Sequence, residues 1–471
     1  MLFNSFAFLI FFPIVCFVYF ILPHRFRWLF LLAASYYFYM NWKPVYAVLI
    51  GTSTLLTYLC GIFIERTNNK KTAKTLLVTS LIINLGILFI FKYFNFINES
   101  VFSLLEYCHI RFTVPNLDVL LPVGISFYTF QAIGYTIDVY KREIKAEKHL
   151  GIYALFISFF PQLVAGPIER AKNFLPQFRK VYTFNTPQVV SGLKLMLWGM
   201  FMKVVVADRV AIYVNAIYNN LGEHSGLSIL LATILFAVQI YCDFGGYSLI
   251  AVGSAKIMGF NLTFNFNRPY LALNIADFWR RWHISLSLWF RDYLYIPLGG
   301  NRVNKGRNYF NLFFTFVVSG IWHGANWTFV IWGALHGIYQ IVEKALKIRR
   351  DSSENKFSIR NLCRIFITFV MVDFAWIFFR ANSVGDAFFA IKKIFTELGT
   401  SVHIDLKTMF YMLIGISILT LKDWNDEFCK GRFSLINHNY LFCRYVGYTL
   451  LVVIILLCGV FDSSQFIYFQ F

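Results

Sequence analysis

The chain has 471 residues, of which 58% are hydrophobic and 20% aromatic, and only 14% are charged. A soluble protein carries roughly a quarter charged residues, and several apolar runs here exceed the ~18 residues that cross a bilayer, so composition points to a polytopic membrane protein. The formal charge of +19 does not make it a nucleic-acid binder. Lys and Arg cluster in short loops such as "ERTNNKKTAK", "YKREIKAEKHL", "GGNRVNKGR" and "EKALKIRRDSSENKFSIR", as cytoplasmic loops do, and no basic stretch is interleaved with base-stacking aromatics outside the apolar runs.

In chain order, "MLFNSFAFLIFFPIVCFVYFILPHRFR" lacks the basic start and small-residue cleavage site of a signal peptide. It reads as a first span with its N-terminus outside and His24 to Arg27 in the cytosol. Hydropathy predicts spans at 3–22, 28–41, 45–64, 76–95, 118–139, 188–209, 227–255, 309–322, 326–343, 362–380, 408–422 and 441–461. Alternating them places four of the five basic loops inside, and the fifth, around 170–180, follows if 151–165 is re-entrant. A second re-entrant segment is expected at 271–290. The expected fold is therefore all-α, with about eleven or twelve membrane helices in one integral-membrane domain, 1–471, ending in a short outside tail, 462–471. The eight cysteines are scattered with no C-x-x-C pair, so neither a disulfide framework nor a metal site is expected.

Three places combine polar groups with apolar surroundings. Asp243, in "QIYCDFGGYSLIAVG", is an acid within a span and needs a partner or a wet cavity; a structural role is expected. In "NIADFWRRWHISLSLWFRDYLYIPLGGNR", Asn274 and Asp277 have the spacing of a helix start. The helix that follows carries Arg280, Arg281 and His283, which suits either a polar mouth or an interfacial helix with snorkelling arginines. In "GIWHGANW", His323 lies deep in an apolar run. There a neutral imidazole is available as a base, and Gly320 and Gly324 leave room for a substrate chain. The bland alternative is a histidine bonded to a carbonyl. His336 has no metal-ligand spacing to His323 and is expected to be structural.

The strings "DFWRRWHISLSLWFRDYLYIPLGGNR" and "SGIWHGANWTFVIWGALHG", with "LLPVGISFYTFQAIGYTIDVY" and "FPQLVAGPIER", resemble the membrane-bound O-acyltransferase family. More narrowly, they resemble its bacterial members acting on alginate and peptidoglycan. One departure is visible: where relatives read "DFSGYSDIA", this chain has Gly245 and Leu249. The resemblance implies a ring of helices around a central funnel, His323 as the essential histidine and His283 as the second family histidine on the cytosolic side. It implies acetyl transfer from acetyl-CoA toward a cell-surface polysaccharide, with no permanently bound cofactor, in a bacterial inner membrane. It also implies an extracytoplasmic hydrolase-like (Ser-His-Asp) partner. From the chemistry, Trp322 and Asn326 are expected to shape the site, with Asn326 donating to the developing oxyanion, and Arg280 and Arg281 to hold coenzyme A phosphates. The terminal "FIYFQF" resembles motifs in which a tyrosine carries the acyl group, which makes Tyr468 a candidate relay; the bland alternative is an interfacial aromatic belt. D-alanyl transfer from a carrier protein to teichoic acid is the rival within the class, and a glycan-precursor transporter or flippase the rival outside it.

Overall fold

The computed structural model describes residues 1–110, 114–164, 166–348, 357–399 and 405–461. Tyr468 and the rest of the tail lie outside the described residues. Among those described the chain is helical with no strand, and six helices are long and apolar enough to cross a membrane. Each predicted span coincides with a helix. Capping explains several of the sharp starts: Ser5 accepts from the Phe8 N–H, Asn69 from Lys71, Ser358 from Asn361 and Asp405 from Thr408.

Several predicted spans differ in extent, and 76–95 lengthens into the 38-residue helical run Lys70–Tyr107. The 118–139 segment becomes helical only at Ile125. Before it, Gly124 sits at φ 74°, and a Cβ there would stand 2.3 Å from the Leu163 carbonyl oxygen, so the turn admits glycine alone. The 188–209 span lengthens into a 33-residue helical run, Thr186–Tyr218, containing the π-helical segment Phe201–Ala207. The helix Val384–Thr396, with Phe388, Phe389 and Phe395 exposed, was not among the predicted elements.

Contacts group the chain into two compact units. The first comprises Met1–Val190 and Ser254–Thr263. Within it the predicted re-entrant segment is a broken helix, Leu150–Ser158 then Phe160–Leu163. The break leaves the Phe156 carbonyl without a helical partner, and the buried amides of Gln131 and Gln162 donate to it at 2.7 and 2.6 Å.

The second unit, Ser191–Gly253 and Phe264–Phe471, contains both histidine motifs. Its helical segments 191–200 and 226–253 touch through small residues. A Cβ on Gly246 would meet the Gly199 oxygen at 2.6 Å, and one on Gly253 the Gly192 oxygen at 2.6 Å. Such backbone approach is how helices associate where lipid removes the hydrophobic drive. Asp243 finds its partner here: Lys203, 1% exposed, reaches Asp243 and Asp208 at 2.7 Å each. The π-helical turn, with its i→i+5 repeat, brings Lys203 and Asp208 onto one face. The structural role expected of Asp243 is thus that of an ion-pair anchor between helices.

Candidate functional site

The second unit holds a helix–break–helix segment. Asn274 caps Ile275–Arg281 by accepting from the Asp277 N–H at 2.8 Å, as its spacing predicts. The Glu343 carboxylate accepts from the free N–H groups of Ile275 and Ala276 at 2.6 and 3.1 Å, a stabilising charge at a helix N-terminus. The chain then breaks at Trp282 and His283 before Ile284–Phe290 begins. The extended segment 265–267 holds the break open. Asn267 N–H donates to the Arg281 carbonyl, Ile284 N–H to the Asn265 carbonyl, and the Ser285 N–H and hydroxyl both to Asn265 Oδ1. At the break His283 adopts φ 42°, ψ 54°, with none of its surface exposed. A left-handed conformation in a residue with a Cβ is stored strain of about 1–3 kcal/mol, of the kind that clusters at functional sites.

His323 is the last residue of the helix Lys305–His323, which turns back through Gly324 and Ala325 into Trp327–Ala345. The glycines of the motif have a different purpose from the one expected. A Cβ on Gly320 would lie 2.2 Å from the Phe329 oxygen, and one on Gly324 2.1 Å from the Phe329 ring. The space beside them is filled by the returning helix, so the glycines close the hairpin and leave no room for a substrate.

The hairpin brings the two family histidines together. Their ring centroids are 6.3 Å apart, and Trp322 lies 5.0 Å from His323 and 5.9 Å from His283. Trp332 at 5.0 Å and Phe379 at 5.5 Å complete the wall around His323. His336 sits behind it and accepts from the Trp279 indole N–H at 3.2 Å, the structural placement expected of it.

Arg280 and Arg281 point to different tasks. Arg280 is exposed and lines a cavity of about 560 Å³, within the range of small-molecule sites. The same cavity is lined by Arg291, Lys344, Ile284 next to His283, and Ser319 one turn before His323, and no carboxylate lines it. Arg281 is buried; its Nε donates to Asp277 at 3.1 Å and its Nη1 to Glu427 at 2.9 Å. Two carboxylates hold it, so its charge is already answered within the protein, unlike the exposed guanidinium of Arg280. Asn326 also has a structural task. Its oxygen caps Trp327–Ala345 by accepting from Thr328 N–H, and its amide N–H donates to the Asn382 carbonyl. The side chain is a helix cap, and the second N–H of its amide is what remains for the oxyanion role expected of it.

Glu427, which also pairs with Arg268 at 2.6 Å, Asn265 and Trp332 escaped sequence reasoning. Glu427 stands in "KDWNDEFCK", which reads as a solvated acidic run, and its partners lie about 150 residues away. Among the described residues no cluster of His, Cys, Asp and Glu fits a metal ion. A sequence profile of the membrane-bound O-acyltransferase family matches residues 145–383.

The chain belongs to the membrane-bound O-acyltransferase family. It is 38% identical to the probable alginate O-acetylase AlgI of Azotobacter vinelandii over 390 residues, 82% of this chain and 76% of that protein. It is 36% identical to the peptidoglycan O-acetyltransferase of Helicobacter pylori over 424 residues, 83% and 79% of the two chains. The teichoic acid D-alanyltransferase of Bacillus subtilis is 29% identical over 278 residues, 56% of this chain and 70% of that one. The chain is a multi-pass membrane acyltransferase, as the family strings in its sequence imply.

Proposed function

We propose that the protein transfers acetyl groups from cytosolic acetyl-CoA, across a bacterial inner membrane, toward O-acetylation of a cell-surface or secreted polysaccharide. One observation carries the choice of donor: the cavity lined by Ile284, next to His283, and by Ser319, one turn before His323, also presents Arg280, Arg291 and Lys344. Coenzyme A bears several phosphate charges, which guanidinium and ammonium groups bind; Arg291 shares its charge with Asp292 at 2.7 Å, and exposed Arg280 is the leading partner. D-alanyl transfer is less well served, because its donor brings an ammonium that a lining of Arg280, Arg291 and Lys344 repels. The similarity to the D-alanyltransferase is also lower and shorter. A second cavity, lined by Lys194, Arg268, Lys422, Asp423 and Asp426, suits a polyanion poorly. There Lys422 pairs with Asp426 at 2.6 Å, and Arg268 is answered by Glu427.

In this reading His323 takes the proton of an acceptor hydroxyl while its oxygen attacks the thioester carbonyl carbon. The C–O bond forms, and the carbonyl electron pair moves onto oxygen. On collapse the C–S bond breaks and the thiolate takes the proton back from His323, leaving coenzyme A as the thiol. His283, held beside it at the donor end, orients the thioester, and Trp322 keeps water from the two imidazoles. Tyr468 is the proposed acceptor that carries acetyl to the hydrolase-like partner outside. The deciding experiment is turnover of labelled acetyl-CoA by the purified protein. His323→Ala lowers it by ~10²–10⁴-fold while the protein stays in the membrane; turnover of the variant at the unmutated rate refutes the assignment.

A further inference from the structure

Acyl transfer needs a donor for the negative charge that collects on the thioester oxygen, and Asn326 is a helix cap with one of its two amide N–H groups already given to the Asn382 carbonyl. Three buried indole N–H groups in the second unit have no acceptor among the described residues: those of Trp282, Trp332 and Trp376. Each ring is fully buried. Trp376 lies 5.6 Å from Trp332 and 5.1 Å from Trp282. Of the three, Trp332 is the one whose ring packs on His323, edge to face at 5.0 Å and 86°.

The neighbours of Trp332 do not satisfy its N–H. His336 is 4.9 Å away, but its Nδ1 already accepts from Trp279, so in the neutral ring Nε2 carries the proton and is itself a donor. Trp376 offers another N–H, and Phe379 at 5.2 Å offers only a ring. Buried donors are nearly always paired in folded proteins. One left unpaired against the proposed base, in a water-excluding aromatic wall, fits an acceptor that arrives with the substrate. A donor fixed in place beforehand needs no reorganisation as charge develops, which is what makes such groups effective.

We propose that the Trp332 Nε1–H is the oxyanion donor of this site. It is a catalytic residue that hydrogen-bonds the thioester carbonyl oxygen as the acceptor hydroxyl adds. The inference rests on the acyl-transfer reading above. In the step itself the hydroxyl oxygen bonds to the carbonyl carbon, His323 takes the proton, and the displaced electron pair sits on the oxygen facing Trp332. When the C=O bond re-forms, the C–S bond breaks and the thiolate receives the proton.

The test separates the N–H from the ring. Trp332→Phe removes the donor and part of the ring. Incorporating benzothienylalanine at 332, with sulfur in place of N–H, removes the donor and keeps the shape. With acetyl-CoA as donor and the purified full chain, kcat falls by ~10²–10³-fold in both, and the thermal midpoint of the benzothienylalanine protein stays that of the unmutated one. KM for acetyl-CoA stays within roughly threefold in both, since the bond forms only in the transition state. If the benzothienylalanine protein keeps its kcat while His323→Ala loses turnover, Trp332 is only wall and the inference is wrong. If His323→Ala keeps turnover as well, the acyl-transfer reading itself falls, and the role of Trp332 with it.

Discussion

Arg280 and Arg281 show how little a residue type says without its partners. They are neighbours in one short helix, yet one faces a cavity with no acid in its lining and the other is buried between Asp277 and Glu427. Their variants are therefore expected to fail in different ways. Arg280→Gln removes a phosphate partner, and a hydrogen bond to a charged group contributes about 1.5–3 kcal/mol. KM for acetyl-CoA is expected to rise by ~10–100-fold, while turnover of acetyl-pantetheine, which lacks the nucleotide phosphates, stays unchanged. Arg281→Gln leaves the buried Asp277 without its cation and Glu427 with Arg268 alone, a loss of about 3–5 kcal/mol. It lowers the yield of folded protein whichever donor is used. Equal effects of Arg280→Gln on both donors would remove the cavity from phosphate binding. His283 belongs at the same scale: its left-handed backbone has no signature in "RRWHIS", where the pattern suggests an unbroken helix.

At the scale of elements, the helices were legible and their pairings were not. Hydropathy placed each predicted span on a helix because an apolar run is a local property. The hairpin glycines were misjudged because their reason lies across it: Gly333 faces Gly320, and a Cβ on Gly333 would stand 2.4 Å from the Phe316 oxygen and 3.1 Å from the Gly320 Cα. Lys203 likewise reads as one basic residue in an apolar run until the π-turn sets it between Asp208 and Asp243. The histidines stood out in the sequence because polar groups in greasy runs are rare. Trp332 did not, because tryptophan there is ordinary. A pair of substitutions tests the hairpin. Gly86→Ala, in Lys70–Leu88, meets nothing within 4 Å and gains about 1 kcal/mol from helix propensity. Gly333→Ala makes the same propensity gain but forces two backbones apart, an overpacking of about 1–3 kcal/mol or more. Its thermal midpoint is expected to fall as that of Gly86→Ala rises, and turnover falls with it because His323 sits at the hairpin tip. Two midpoints rising together would mean that the hairpin relaxes freely.

For the whole molecule, the decisive property is sidedness, because a cytosolic donor requires the Arg280 cavity to open on the cytosolic side. Alternation of spans from an outside N-terminus puts the loop after Lys70–Tyr107 outside and the loop after Leu406–Phe428 inside. Each carries a native cysteine at its edge, Cys108, which is exposed, and Cys429, which is half-buried. Cys429 also reports on the cavity. It lies two residues from Glu427, which holds Arg281, the neighbour of Arg280 in the same helix. Proteins retaining only one of these cysteines, treated in intact cells with a membrane-impermeant maleimide, are expected to label at Cys108. Cys429 is expected to label only after the membrane is opened. The reverse pattern would place Arg280, and the cation-lined cavity with it, on the side where no acetyl-CoA is found. Acetyl export would then be untenable, however well the two histidines are placed for transfer.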